Sequence, residues 1–441
     1  MVQNLLSFHC NQASLRVYLT YFVLMFFKRN LFYLLILGFY FGCQSAVKAQ
    51  HSAVSGVIAC PADENNAFTT LTSISKANLK VNATSDIRVD YVGFPAVAKE
   101  AFEMAVKIWE GILISKQPIK IKATWEDISG RTLAYTGATR IFRNFDKAPY
   151  TDVWYVVPLA EAISGKDLNP GEYDINVTLN QNIDWSYATN GSFFEGKYDL
   201  TTVVLHEIAH GLGFSSSIKL INNDSEGQWG QTGFPYIYDV FIENGRQESL
   251  IDNTNFTNPS SSLRQQMISD DLYFKVSNDK YLNDLPKLYC PNPYRDGGSI
   301  SHLDENRYPS GSMHSLMSPS ISAAEVIHDP GELILSILNQ IGWPVNNLSS
   351  FSVLAEKSEE SILAYPNPFE NTVKVFVPIE LRASSSKVRI VDITGSVILS
   401  SEKNTQIEST FTLETGDFRS GIYFIELSSE KGKYVKRLVK P

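Results

Sequence analysis

Histidine and cysteine are both scarce in this chain, seven and four in 441 residues. Four cysteines are too few for a disulfide-stapled scaffold. Excess positive charge is also lacking. With 38 Lys and Arg against 47 Asp and Glu the formal net charge is −9, and no basic stripe points to a nucleic-acid partner. Apolar runs long enough to span a bilayer are missing too. The longest, Val17 to Phe27 and Leu31 to Cys43, fall short of the roughly 20 residues a crossing helix needs. Acidic side chains are absent from the first 49 positions.

That last absence, with Lys28-Arg29 ahead of the second apolar run and Val47-Lys48-Ala49 behind it, reads residues 1–49 as a signal peptide or leader. A start at Met25 would give it ordinary length. Its removal takes away Arg16, Lys28, Arg29 and Lys48, leaving 34 basic against 47 acidic residues, and leaves Cys60 and Cys290 as the remaining cysteines. In an oxidising compartment these two have the option of pairing, which spacing does not decide.

Against this background His206-Glu207-Ile208-Ala209-His210 stands out. Leu200, Val203, Val204, Ile208 and Leu212 have helical spacing, Asp199 or Thr201 offers a cap, and Gly211 and Gly213 offer a stop. On a helix the two imidazoles face one side as neighbours, within reach of one zinc ion, and Glu207 is placed as general base. Zinc catalysis needs a third ligand and an open fourth position.

The segment from His206 resembles the metzincin signature, with Gly213 at the turn glycine, but Ser216 stands where the third histidine belongs. Ser301-His302-Leu303-Asp304-Glu305 followed by Ser315-Leu316-Met317-Ser318-Pro319 resembles the leishmanolysin-like branch, in which a long insertion precedes the third histidine and a methionine turn. The resemblance implies His302 as third ligand and Met317 as an apolar floor. Asp304 remains a competing ligand, and His314 a candidate supporting group. The implied fold class is α+β: a metzincin-like protease domain over 50–345 with an insertion over 214–299. Its sheet edge above the metal, the strand Asp174 to Asn180 or its neighbour, would bind an extended polypeptide. Helices from Pro95 to Leu113 and Pro330 to Trp343, and a strand from Ile119 to Trp125, fit this plan. The polar stretch Gln50 to Leu79 has room for a latency segment, with Cys60 capping zinc as one option beside a disulfide.

A linker over 346–361 leads to residues 362–441, whose alternation at Val373, Val375 and Val377, Val388 to Ile393 and Gly421 to Leu427 predicts a small Ig-like β-sandwich. Tyr365-Pro366-Asn367-Pro368-Phe369, Asp392-Ile393-Thr394-Gly395, Gly421-Ile422-Tyr423 and the basic end Lys431, Lys433, Lys436, Arg437 and Lys440 resemble the type A sorting domain of the type IX secretion system. That resemblance implies export through this machinery, to the medium or to the outer-membrane surface. The chain thus reads as a secreted zinc metalloendopeptidase acting on polypeptides. The alternative is a surface-displayed binding or adhesion protein on a silent protease scaffold.

Overall fold

The computed structural model describes residues 50–71, 83–277, 285–312, 314–346, 363–365, 369–377, 383–406, 410–430 and 432–440. The leader 1–49, linker positions 347–361 and Pro366 to Pro368 lie outside the described residues.

One mixed six-stranded sheet carries the larger part. Its strands are β1 (Ile58–Leu71), β2 (Ile87–Val92), β3 (Ile119–Glu126), β4 (Thr132–Ala138), β5 (Ile175–Asn180) and β6 (Ile321–Ile327), in the spatial order β6-β1-β4-β5-β3-β2. β2, β3 and β5 run parallel, β4 is antiparallel to β5 and to β1, and β1 is parallel to β6. Alternation explains the inner strands: Ile119, Ile121 and Ala123 on β3, and Ile175, Val177 and Leu179 on β5, are buried. The strand expected to form the edge above the metal, Asp174 to Asn180 or its neighbour, is instead interior, between β4 and β3, which are themselves interior. Alternation along a strand reports which face is buried and says nothing of its neighbours.

Three helices pack on this sheet or beside it. Helix α1 (Ala96–Ile112) buries Phe102, Ala105, Ile108, Trp109 and Ile112 along one stripe. Helix α2 (Leu200–Gly211) begins at Asp199, whose carboxylate accepts from Thr202 N at 2.8 Å, and is buried on every side. Helix α3 (Gly331–Ile341) closes on Gly342 in the left-handed region. The segment 214–299 is no loose loop. Phe214, Tyr238 and Phe274 are fully buried, with ring centroids 5.2 and 4.8 Å apart, and they join the same apolar core as the sheet.

Residues 363–440 form two further antiparallel sheets. One is β7 (Leu363–Tyr365), β8 (Thr372–Phe376) and β11 (Thr410–Glu414). The other is β10 (Val397–Lys403), β9 (Ser386–Asp392), β12 (Gly421–Ser429) and β13 (Gly432–Lys440). Val373, Val375, Val388, Ile390, Ile425 and Leu427 from both sheets share one core, as a sandwich requires.

The α+β metzincin-like class expected from the sequence is corrected by this architecture. Among the described residues twenty-two strands in seven sheets stand against five α-helices, so the chain is predominantly β. The three long helices carry strong periodicity, whereas strands of two or three residues carry almost none, and the sequence pattern over-weighted the former.

Gly211 marks the tightest seat of α2. A Cβ there would lie 2.5 Å from Ile175 Cγ2 and 2.8 Å from Cδ1, inside van der Waals contact. Gly211→Ala is therefore expected to cost about 1–3 kcal/mol by overpacking, read as a lower urea midpoint with unchanged slope.

Candidate metal centre

Helix α2 brings His206 and His210 to one side, one turn apart, and the loop after residue 298 brings His302 to meet them. Nε2 of His210 lies 3.0 Å from Nε2 of His206 and 3.1 Å from Nε2 of His302. Four nitrogens around one zinc at bond lengths of about 2.0–2.1 Å would stand about 3.3 Å apart, so the spacing suits a single ion. The helix is held in place by indole donors at its middle and at its carboxyl end. Trp109 Nε1 reaches Leu205 O at 3.3 Å and Trp343 Nε1 reaches Leu212 O at 2.7 Å.

The other ring nitrogens decide the chemistry. His206 Nδ1 lies 2.6 Å from Leu316 O, His210 Nδ1 2.6 Å from Phe214 O, and His302 Nδ1 2.8 Å from Gly298 O. A carbonyl oxygen only accepts, so each Nδ1 carries the proton, and in a neutral ring each Nε2 is a bare lone pair. Burial disfavours the charged rings. It lowers His206 to about 4 and His302 to about 3, and, with the two neighbouring imidazoles, takes His210 well below its ordinary value. At neutral pH three lone pairs thus point at one another in a fully buried space. Such an arrangement repels itself and is resolved by a cation among them, so the donor set fits a divalent metal ion.

Glu207 completes the centre. It is 0% exposed, no N–H or O–H of the described residues reaches either carboxylate oxygen, the Cys60 thiol is its hydrogen-bonding neighbour, and burial pushes its carboxyl well above the ordinary range. Cys60 Sγ, a ring nitrogen of His206 and a Glu207 oxygen lie within 4.8 Å of one another. Burial, followed by the Glu207 carboxylate, holds the Cys60 thiol far above its usual pKa.

The fold brings His206, Glu207, His210 and His302 together. Asp304 stays outside: it accepts from Arg307 N at 2.8 Å and faces Lys287 Nζ at 3.6 Å. His314 lies beside the Tyr308 ring, 5.9 Å between centroids, and is absent from the cluster. Met317 is fully buried in the turn Ser315–Met317, and its contribution runs through the backbone: Met317 O accepts from Leu303 N at 2.8 Å while Leu316 O holds His206. One turn therefore ties both ligand segments. Ser216, at the missing-histidine position, donates to Asp239 Oδ1 at 2.7 Å, and its own N–H donates to Ser301 Oγ at 3.0 Å, beside His302.

Sequence reasoning missed two supports. Buried Asp239 gathers Ser216, Ser217 and Tyr236 N, and buried Glu325 accepts from Ser315 Oγ at 2.6 Å and Gly311 N at 2.8 Å, fixing the turn that presents Leu316 O. The surrounding serines were the available signal. Cys60 and Cys290 are both free thiols, so the disulfide left open by spacing is not formed.

Titration with zinc or cobalt is expected to raise the melting temperature at neutral pH, by about 4 kcal/mol of added stability at a thousandfold excess over Kd. His302→Ala should abolish the shift. Protons compete for the same lone pairs, and because burial lowers His206 to about 4 and His302 to about 3, the shift should persist at pH values where free imidazole near 6.5 is protonated, vanishing only as pH approaches 4. Calorimetry across that range checks the sign.

Comparison with known proteins bears mainly on the carboxyl-terminal part. Residues 363–441 match the family model of the secretion system C-terminal sorting domain. A second model, described as SPBPB7E8-like, matches residues 166–243, which include His206, Glu207 and His210. No curated protein matches the chain. Among solved structures, a DUF3244 family protein with an immunoglobulin-like β-sandwich fold from Bacteroides vulgatus is similar at 16% identity, covering 18% of this chain and 83% of that one, TM-score 0.16. The BSP domain of a biofilm associated protein is similar at 17% identity, covering 18% of this chain and 14% of that one, TM-score 0.16. The chain therefore spans a small part of that second protein's length. Its carboxyl-terminal sandwich is a type IX sorting domain that engages the secretion machinery, and the chain is a secreted or outer-membrane surface protein.

Proposed function

We propose that this exported chain is a zinc-dependent hydrolase of peptide bonds. The observation that carries the reading is the convergence of three bare Nε2 lone pairs beside a buried carboxylate that no N–H or O–H donor satisfies. His206, His210 and His302 would hold the ion. A bound zinc ion supplies Lewis acidity toward a carbonyl and lowers the pKa of water toward neutrality. Glu207 takes a proton on its carboxylate oxygen from the attacking water and returns it to the leaving amine. Burial raises its carboxyl, which favours the protonated form from which the proton is returned to the amine. The three backbone carbonyls keep each ring in the one tautomer that leaves Nε2 free. A polypeptide substrate is the reading that the sequence resemblance to leishmanolysin-like peptidases supports.

A second reading has its own support. The comparisons supply an export address and no enzymatic relative, and by themselves fit a surface-displayed binding or adhesion protein. Glu207 separates the two, because a silent scaffold has no use for a buried carboxylate that no N–H or O–H donor satisfies next to three imidazoles.

Glu207→Gln is nearly isosteric and removes the base. It is expected to keep one metal ion per chain, by elemental analysis, and to lose at least about 10²-fold in hydrolysis of casein or gelatin. Equal turnover by the variant and the parent chain would overturn the assignment of Glu207, and absence of metal from both would overturn the centre.

A further inference from the structure

Against the carboxyl end of α2 lie the start of β5 and the short helix Val157–Ser164: a Cβ at Gly211 would press on Ile175, and one at Gly213 would lie 3.1 Å from Val156 Cγ2. These two elements share a second group of acids, none of which belongs to the histidine centre. Glu161 stands on the short helix, Asp174 immediately precedes β5, and Asp167 and Asn169 lie on the loop between them. Glu161 is 1% exposed, Asp174 0% and Asn169 5%.

Backbone donors satisfy part of the group. Glu161 Oε1 accepts from Leu168 N at 2.7 Å, Asp167 Oδ1 from Asn169 N at 3.2 Å, and Asp174 Oδ2 from Lys120 N at 2.7 Å. Asn169 Nδ2 donates to Tyr173 O at 3.1 Å, and because a carbonyl only accepts, the other atom of that amide is its oxygen. Two oxygens are left over. Asn169 Oδ1 and Asp174 Oδ1 are buried with no hydrogen-bond partner, and the two side chains are polar neighbours. Charge is unbalanced as well: the carboxylates of Glu161, Asp167 and Asp174 act on one another with Lys120 as the opposing cation, and Lys120 Nζ goes to Asp167 Oδ2 at 2.9 Å, on the more exposed side. With all three acids ionised, three negative charges against one positive leave an excess of two. Burial, then the Asp174 carboxylate, accordingly raises Glu161 to about 8.

We propose that Glu161, Asp174 and Asn169 hold one calcium ion. Every donor is an oxygen, which selects a hard cation, and a divalent ion offsets the excess of two negative charges. Glu161, Asp167 and Asp174 do not bring three oxygens within 4.8 Å of one another, so Asp167 stays with Lys120, and water completes the six to eight ligands that calcium takes. The ion joins the helix Val157–Ser164 to the start of β5, and so braces the two elements that seat the carboxyl end of α2. Such a site suits an exported chain, since extracellular calcium modules work at dissociation constants of about 10⁻⁴–10⁻³ M.

The test uses the full exported chain, the nearly isosteric variants Glu161→Gln and Asp174→Asn, and Glu172→Gln as a control on the same loop, whose exposed carboxylate pairs with Arg140. Calcium chloride at about 10 mM is expected to raise the melting temperature by at least about 2 °C in the parent chain and in Glu172→Gln. Glu161→Gln and Asp174→Asn should need at least about tenfold more calcium for the same shift. Tyrosine-sensitised terbium luminescence, displaced by calcium, reads binding in any variant whose melting is itself altered. His302→Ala should keep the calcium response, which separates this site from the histidine centre and leaves the proposed function standing whichever way the result falls. A parent chain with neither a calcium shift nor calcium-displaceable terbium would overturn the site. So would Glu161→Gln and Asp174→Asn responding as the parent does, or an equal shift from magnesium at the same concentration.

Discussion

Three hydrogen bonds from imidazole Nδ1 to backbone carbonyls organise everything else in the larger part of this chain. Each fixes a tautomer, and each carbonyl belongs to a different stretch: Phe214 just past α2, Gly298 before His302, and Leu316 in the buried turn. Two of them are local, His210 to Phe214 and His302 to Gly298 each spanning four positions, but the third joins His206 to Leu316 across 110 positions, and His302 meets His210 across ninety-two. The centre is therefore a property of the completed fold. Its electrostatic cost, three converging lone pairs in a buried interior, is carried by the continuous surrounding core, and a cation would offset the repulsion.

The other buried carboxylates show what this fold does when an acid has only a structural task. Asp239 accepts from Ser216 Oγ, Ser217 N and Oγ, and Tyr236 N. Glu325 accepts from Ser310, Ser315, Gly311 N and Ser322 N, with both oxygens used. Asp174 and Asp199 leave one oxygen bare but bond through the other. Glu207 alone among these leaves both oxygens without an N–H or O–H donor, with only the weakly donating Cys60 thiol beside it. A buried, unsatisfied acid costs free energy on the order of 1–3 kcal/mol or more, which a purely structural position would relieve by one serine. The contrast within one chain is a stronger argument for a chemical role than burial alone.

How much of this was legible beforehand depended on range. His206, Glu207 and His210 sit within one helical turn, so spacing sufficed. His302 required a resemblance, since nothing local at Ser301-His302-Leu303 indicates a partner ninety-two residues away. Helices α1, α2 and α3 were readable from their apolar stripes, within a residue or two at each end. The sheet order was not. That Ile175–Asn180 is interior and that Ile58–Leu71 lies between β4 and β6 follows from long-range pairing, which leaves no periodic trace, and the predominance of short strands made the chain look more helical than it is. Asp239 and Glu325 were invisible for a related reason: their partners are serines in loops, and a loop serine reads as solvated until the fold buries it.

The two parts of the chain keep separate interiors, and this bears on how address and chemistry coexist. The sheet, helices α1 to α3 and the inserted segment share one apolar cluster. The sorting sandwich has its own, built from Phe369, Val373, Val375, Val388, Ile390, Ile425, Leu427 and Leu438, and neither includes a residue of the other. Cooperative units are defined by shared buried surface, so each part has the means to be stable by itself. Loss of the sandwich after export would uncover none of the core on which the histidine carbonyl bonds depend. The amino-terminal stretch is the opposite case. β1 lies within the main sheet and Cys60 within its core, its first residues paired with β4 and those from Ala62 onward with β6. The address is thus separable from the site, whereas the amino-terminal strand is woven into the same core.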